Sequence, residues 1–171
     1  NRDDEAEWGF GAGVTEDGKY LAINVWWGTR QENNFFYKDL STPNAKVVEL
    51  LTGFEASFGF VGNDAGVFYF QTTLDAPRGR LIAIDTKRPE RAAWTEIIPE
   101  QAENLTGVSY VGGRFLASYL KDAKTLVRVH DTSGRLVRDV ELPGIGTAGG
   151  FGGKSDDPET FYSFTSYTNP G

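Results

Sequence analysis

The sequence predicts an all-β chain: a β-propeller fragment of about three and a half four-stranded antiparallel blades. Three observations predict it. First, a pattern of short strands recurs with a period near 46 residues. Asp39, Asp85 and Asp131 each close an apolar strand and stand 46 residues apart, and Tyr20, Phe68, Phe115 and Phe161 follow turn signals at intervals of 48, 47 and 46. A period of this length filled with short strands belongs to radially stacked blades, because one blade alone cannot bury both of its faces. Second, Gly-containing turn pairs such as Asp17-Gly18 and Gly112-Gly113 separate the apolar runs, where a tight hairpin needs a residue that accepts positive φ. Third, aromatic residues make up 13% of the chain, with 12 Phe, 7 Tyr and 4 Trp, and flat rings fill the wide gap between stacked sheets.

The elements follow in order. The first blade (7–52) reads as strands at 9–14, 20–26, 35–39 and 46–51, with Glu16-Asp17-Gly18 turning the first into the second. The second (53–103) reads as 56–61, a turn at Asn63-Asp64-Ala65-Gly66, then 67–72, 80–85 and 94–98. The third (104–143) reads as 107–111, a turn at Gly112-Gly113, then 114–120, 124–131 and 136–142, with Ser133-Gly134 between the last two. The remainder (144–171) offers a glycine-rich strand around 149–153, a turn at Asp156-Asp157-Pro158-Glu159 and a strand at 160–167. Only 89–94 and 99–104 have room for a helical turn, and both are short enough to be loops. An array that stops halfway through a blade does not close a ring, so the expectation is a segment of a larger protein.

Composition narrows the chemistry. The net charge of −7 and the scatter of 17 basic among 24 acidic residues argue against nucleic acid, which demands clustered Lys and Arg. No apolar run approaches the ~20 residues of a membrane-spanning helix, and the Asn1-Arg2-Asp3-Asp4-Glu5 start lacks the layout of a signal peptide. Neither nucleic acid nor membrane is expected as a partner. With no Cys, disulfides, thiolate metal sites and thiol nucleophiles are absent together, so packing must supply the stability.

The catalytic and cofactor signals dissolve on inspection. Acyl transfer by Ser needs a His base, and the one His, His130, occupies the repeat position held by Lys38 and Ile84, which makes it a strand position. No Gly-x-Ser-x-Gly elbow is present, and no catalytic residue is expected here. Gly144-Ile145-Gly146-Thr147-Ala148-Gly149 fits a dinucleotide fingerprint in letters only. A helix must follow that motif, and Gly150-Phe151-Gly152-Gly153 would not form one. The better account is an inner strand near the propeller axis, where crowding keeps side chains small, and no cofactor is expected. Asp3-Asp4-Glu5 and Asp156-Asp157 lack alternating ligand spacing, so no metal is expected either, and Asn104-Leu105-Thr106 is a glycosylation sequon by pattern alone. Trp26 and Trp27 are the least ordinary pair. Adjacent strand residues point to opposite faces, so one packs between blades while the other reaches the rim or the following loop, for packing or for binding.

Several stretches resemble the propeller of the prolyl oligopeptidase family. They are Trp8-Gly9-Phe10-Gly11-Ala12 with Glu16-Asp17-Gly18-Lys19-Tyr20, Asn34-Phe35-Phe36-Tyr37-Lys38-Asp39-Leu40, Val61-Gly62-Asn63-Asp64, Arg80-Leu81-Ile82-Ala83-Ile84-Asp85, Tyr119-Leu120-Lys121-Asp122-Ala123-Lys124 and the closing Phe161-Tyr162-Ser163-Phe164-Thr165-Ser166-Tyr167-Thr168-Asn169-Pro170-Gly171. The resemblance implies a segment of a seven-bladed propeller that covers an α/β-hydrolase domain of the same protein. That domain would carry the Ser-Asp-His triad, outside this chain, and would cleave short peptides after proline. The propeller would act as scaffold and size filter, in the cytoplasm or periplasm. The resemblance also implies substrate-facing positions at Gly9, Trp26 and Thr29, where relatives often carry Met, Arg and Cys. An independent protein-interaction propeller is the alternative, although Trp-Asp and Gly-His cues are missing; an acylaminoacyl or dipeptidyl type of propeller-capped peptidase is another. The open edge at 160–167 further predicts a homodimer paired through blade edges.

Overall fold

Alternation of apolar and polar residues at period two, punctuated by Gly and Asp turns, gives strands throughout the computed structural model, which describes residues 7–166. The Asp3-Asp4-Glu5 cluster and the 167–171 end of the Phe161 stretch lie outside the described residues. The first sheet orders β1 (Trp8–Val14), β2 (Tyr20–Trp27), β3 (Asn33–Asp39) and β4 (Val47–Leu51). The second orders β5 (Phe58–Asp64), β6 (Val67–Thr72), β7 (Arg80–Asp85) and β8 (Thr95–Ile98), and the third β9 (Asn104–Val111), β10 (Arg114–Lys121), β11 (Lys124–His130) and β12 (Leu136–Asp139). A final pair joins β13 (Thr147–Gly152) to β14 (Phe161–Thr165). Each sheet pairs antiparallel in chain order, the meander of a propeller blade.

The 46-residue Asp repeat has a physical cause. Asp39 and Asp85 end a third strand, Asp131 directly follows one that stops at His130, and each folds back on the turn that leaves the strand. Their Oδ1 atoms accept the amides of Ser41 at 2.8 Å, Lys87 at 2.9 Å and Ser133 at 3.0 Å. A short carboxylate that bonds the backbone two residues on makes such a turn without help from the rest of the fold.

Some expected boundaries shift. The strand expected at 136–142 ends at Asp139, because Val140 and Leu142 turn inward to pack on the core and Pro143 follows. The one expected from 56 starts at Phe58, because the carbonyls of Ala56 and Ser57 are taken by Asn33 and Thr73 rather than by a ladder. The turn expected over 63–66 tightens to Ala65-Gly66, with Ala65 at φ 48°. Of the two short stretches with room for a helical turn, the first holds a single 3-10 turn at Arg91–Ala93.

The core lies between sheets. Phe35 and Tyr37 of the first sheet meet Phe58, Phe68, Phe70, Ile82 and Ile84 of the second. Tyr69, Leu81 and Ala83, on the opposite face of that second sheet, meet Phe115, Ala117 and Tyr119 of the third. Leu116 and Val129 of the third meet Ala148 and Phe151 of the last pair. Rings cross edge to face at these seams, as Phe35 does on Phe70 at 4.8 Å and Tyr69 on Phe115 at 4.9 Å. Such pairs add about 0.5–1.5 kcal/mol to area burial.

Candidate functional site

The inner strands β1, β5, β9 and β13 place two features at their opposite ends. One is a knot of turns. At the β1–β2 turn, the Thr15 hydroxyl donates to Asp17 Oδ1 at 2.7 Å and accepts the Tyr20 amide at 3.0 Å. Asn63 of β5 reaches across to Asp17 Oδ2 at 2.9 Å. Burial pushes the Asp17 carboxyl up, but bonds from Thr15, the Lys19 amide and Asn63 outweigh it and hold the group below its ordinary value. On the other side, Gly112 and Gly113 donate their amides to the carbonyls of Lys154 and Ser155 at 3.2 and 2.8 Å. The knot closes between residues 139 apart: the Ser155 amide donates to Glu16 Oε1 and Oε2 at 3.0 and 3.1 Å, and its hydroxyl donates to Oε1 at 2.9 Å. Behind the bridge lies a cavity of about 320 Å³, lined by Val14, Thr15, Glu16, residues 60–63, residues 108–110, Gly152, Gly153 and Ser155. Burial first, then the Asp64 and Glu16 charges, push the Tyr110 phenol up; the neighbouring Tyr69 rises to about 12, chiefly by burial.

The second feature is a groove between the first and second sheets. Gly9 pairs with Trp26 and Gly11 with Asn24, so two glycines of β1 stand under the indole. A methyl carbon on Gly9 would lie 2.1–2.4 Å from three indole atoms, and one on Gly11 would lie 3.3 Å from the ring. Trp26 therefore lies flat on bare backbone, and glycine at position 9 is what admits it. Trp27 points the other way, as expected of neighbours in a strand. Its Nε1 donates to Glu7 at 2.6 Å, Phe54 packs at 5.7 Å, and the Arg30 guanidinium sits 4.1 Å from the ring centroid. The groove, about 510 Å³, is lined by Asn24, Trp26, Arg30, Gln31, Asn33, Phe35 and residues 57–60.

Of the three positions singled out in the sequence, Gly9 and Trp26 thus form one unit, with Gly9 as the seat. Thr29 is exposed in the turn after β2 and is not among the groove's lining residues. Sequence reasoning missed Asn33, which staples the two sheets: it accepts the Phe58 amide at 2.6 Å and donates to the Phe58 carbonyl at 3.0 Å and to Asn24 Oδ1 at 2.5 Å. The available signal was an Asn-Asn pair opening an apolar strand. It also missed the Glu16–Ser155 bridge, which no local pattern announces.

His130 is buried and faces the Gly134 carbonyl through Nδ1 at 2.9 Å, and among the described residues no hydroxyl or carboxylate is bonded to its ring. Glycines 144–149 run into β13 rather than a helix. Crowding there falls on Gly146, whose added methyl would meet the Thr165 carbonyl oxygen at 2.2 Å. The crowding expected along this inner strand is uneven: a methyl on Gly149 would meet nothing within 4 Å, while the neighbouring Gly150 is needed for its φ of +104°. Among the described residues, no group of three His, Cys, Asp or Glu is placed to hold a metal, and no helix is long and apolar enough to cross a membrane.

The model of the prolyl oligopeptidase N-terminal β-propeller domain matches residues 1–171. The prolyl endopeptidase of Elizabethkingia miricola is 38% identical over 157 residues, covering 92% of this chain and 22% of its own. That of Elizabethkingia meningoseptica is 36% identical over 160 residues, covering 94% and 22%. A solved prolyl endopeptidase from a study of inter-domain dynamics in catalysis and specificity superposes with a TM-score of 0.87 at 30% identity, over 96% of this chain and 24% of its own. Apo prolyl oligopeptidase B of Galerina marginata superposes equally well, at 0.87, with 23% identity, over 96% and 24%, a likeness of fold alone. The chain spans about 22% of the length of the curated relatives it matches.

Proposed function

Since the chain belongs to the prolyl oligopeptidase N-terminal β-propeller family, we propose that it serves as scaffold and gate for a serine endopeptidase that cleaves short peptides after proline. The catalytic partner is an α/β-hydrolase domain of the same protein, and the blades divide at 7–52, 53–103, 104–143 and 144–171. The observation that carries the gate is the Glu16–Ser155 bridge, which joins the turns that follow the first and last inner strands. A peptide entering at that end meets a closed knot. Gly9, Trp26 and Thr29 belong to the opposite end, where the Trp26 indole, 39% exposed, offers a flat apolar face to substrate. Thr29 contributes from the rim.

The test uses the full-length protein that carries this chain, assayed on a proline-linked chromogenic peptide and on a peptide several times longer. The expected result is cleavage of the short peptide by the full-length protein and none by residues 1–171 alone, with Glu16→Ala raising the rate on the long peptide relative to the short one. A full-length protein that leaves proline-linked bonds intact sinks the peptidase reading. An unchanged rate ratio in Glu16→Ala sinks the gate. In isolation, the chain pairs through β14, whose Phe161 is 77% exposed beside Tyr162. A sedimentation profile that stays monomeric as concentration rises removes that part.

A further inference from the structure

The groove between the first two sheets has an uneven chemistry. Its floor is aromatic, from Trp26, Phe35, Phe58 and Phe60, and its polar groups are amides and a hydroxyl. Arg30 is the single charged residue among those that line it, in a chain whose net charge is −7. The guanidinium is held in place from behind. It rests 4.1 Å from the Trp27 ring centroid, and that ring is fixed in turn by its hydrogen bond to Glu7 and by Phe54. A guanidinium stacked on an aromatic face keeps the N–H groups of its edge for a planar acceptor and loses little freedom on using them. Among the described residues no carboxylate lies within ion-pair distance of Arg30, unlike Arg80, Arg91 and Arg128, which are paired. Glu7, the acid of this stack, is engaged with the Trp27 Nε1.

We infer that Arg30 is a specificity-determining residue: it selects peptides that carry a carboxylate, binding it at the groove mouth while the Trp26 face takes the adjoining apolar part. The inference rests on the peptidase reading for its substrate and on the groove alone for its chemistry. The carboxylate has two sources in a peptide, an acidic side chain and a free C-terminus.

In the full-length protein, KM and kcat are measured on blocked Glu-Ala-Pro, Gln-Ala-Pro and Lys-Ala-Pro p-nitroanilides. The Glu peptide is expected to show a KM about fivefold below that of Gln, the scale of an exposed ion pair, and the advantage fades at about 0.5 M salt. Arg30→Gln equalises Glu and Gln, and Arg30→Glu shifts preference to Lys. A Glu preference that survives in Arg30→Gln overturns the inference, as does its absence from the native protein together with equal handling of free-acid and amidated Gln-Ala-Pro-Gly. A preference for the free acid alone assigns the carboxylate to the C-terminus. Should the protein cleave none of these peptides, the peptidase reading falls. The inference is then decided by tryptophan fluorescence on adding the amidated Glu and Gln peptides: salt-sensitive binding of Glu that Arg30→Gln removes upholds it, and equal binding overturns it.

Discussion

Replacing Gly9, Gly11 and Gly13 of β1 by Ala, one at a time, sets the same methyl group against three different surroundings. None of the three has a positive φ, so each change removes similar freedom from the unfolded chain and should stabilise by about 0.4–1 kcal/mol if nothing else happened. At Gly13 nothing lies within 4 Å, and the gain should appear as a Tm rise of about 1–4 °C, at about 2–4 °C per kcal/mol for a chain of this size. At Gly11 the indole is 3.3 Å away, and a small adjustment should cancel the gain. At Gly9 the methyl falls 2.1–2.4 Å from the indole, which must leave its seat. Overpacking of this kind costs about 1–3 kcal/mol, so the net loss is about 1.5 kcal/mol and the Tm should fall by about 3–6 °C. Thermal unfolding with tryptophan emission as a second signal reads both the loss and the displaced ring. In a Trp26→Ala background the penalty should vanish, a coupling of about 1 kcal/mol or more. If Gly9→Ala melts with Gly13→Ala, or if its penalty persists without the indole, the account of Gly9 as a seat is wrong.

Gly134→Ala should be severe, since a methyl at φ +87° would lie 1.8 Å from the Ile97 carbonyl oxygen; urea unfolding should show a loss above about 3 kcal/mol, against about 1 kcal/mol for Gly18→Ala at φ +70° in open space. Hydrogen bonds, first from the Ser133 hydroxyl, hold the Asp131 carboxyl at about 2, below its ordinary 3.8, so its contribution is complete above about pH 4 and is lost as pH falls through about 2. Carbon NMR of Asp131 should titrate near 2, and Ser133→Ala should move the midpoint upward; a native midpoint near 3.8 contradicts the turn geometry. Glu16→Ala should speed hydrogen exchange at the Ser155 amide about five- to tenfold, since a bond to a charged acceptor contributes ~1 kcal/mol or more, while the amides of β6 keep their rates.

Strand order and most strand limits were legible because each is a local matter. β6 and β7 fall at the bounds that alternation gave, and the Asp39, Asp85, Asp131 register was visible because each carboxylate acts on its own turn. Strand ends where the chain changes partner were less legible: at Ala56 and Ser57, backbone groups serve a neighbouring strand and loop. The Trp26–Gly9 unit was half visible, since opposite facing of Trp26 and Trp27 follows from the pleat, but Gly9 as a seat follows only from the β1–β2 register. The Glu16–Ser155 bridge could not be read at all. It joins two turns 139 residues apart whose meeting depends on how every intervening seam packs.

The seams divide single strands between two neighbours. In β6, Phe68 and Phe70 serve the seam with the first sheet while Tyr69 between them serves the seam with the third, and β7 repeats the division with Ile82 and Ile84 against Leu81 and Ala83. A slip of one residue in the pairing of β6 would exchange the two sets and spoil both seams at once, so correct registry is enforced from either side. The second and third sheets, packed on both faces, are therefore error-checked twice. A defect at Phe70 should be felt on one side of the second sheet and a defect at Tyr69 on the other, because each seam couples only adjacent sheets.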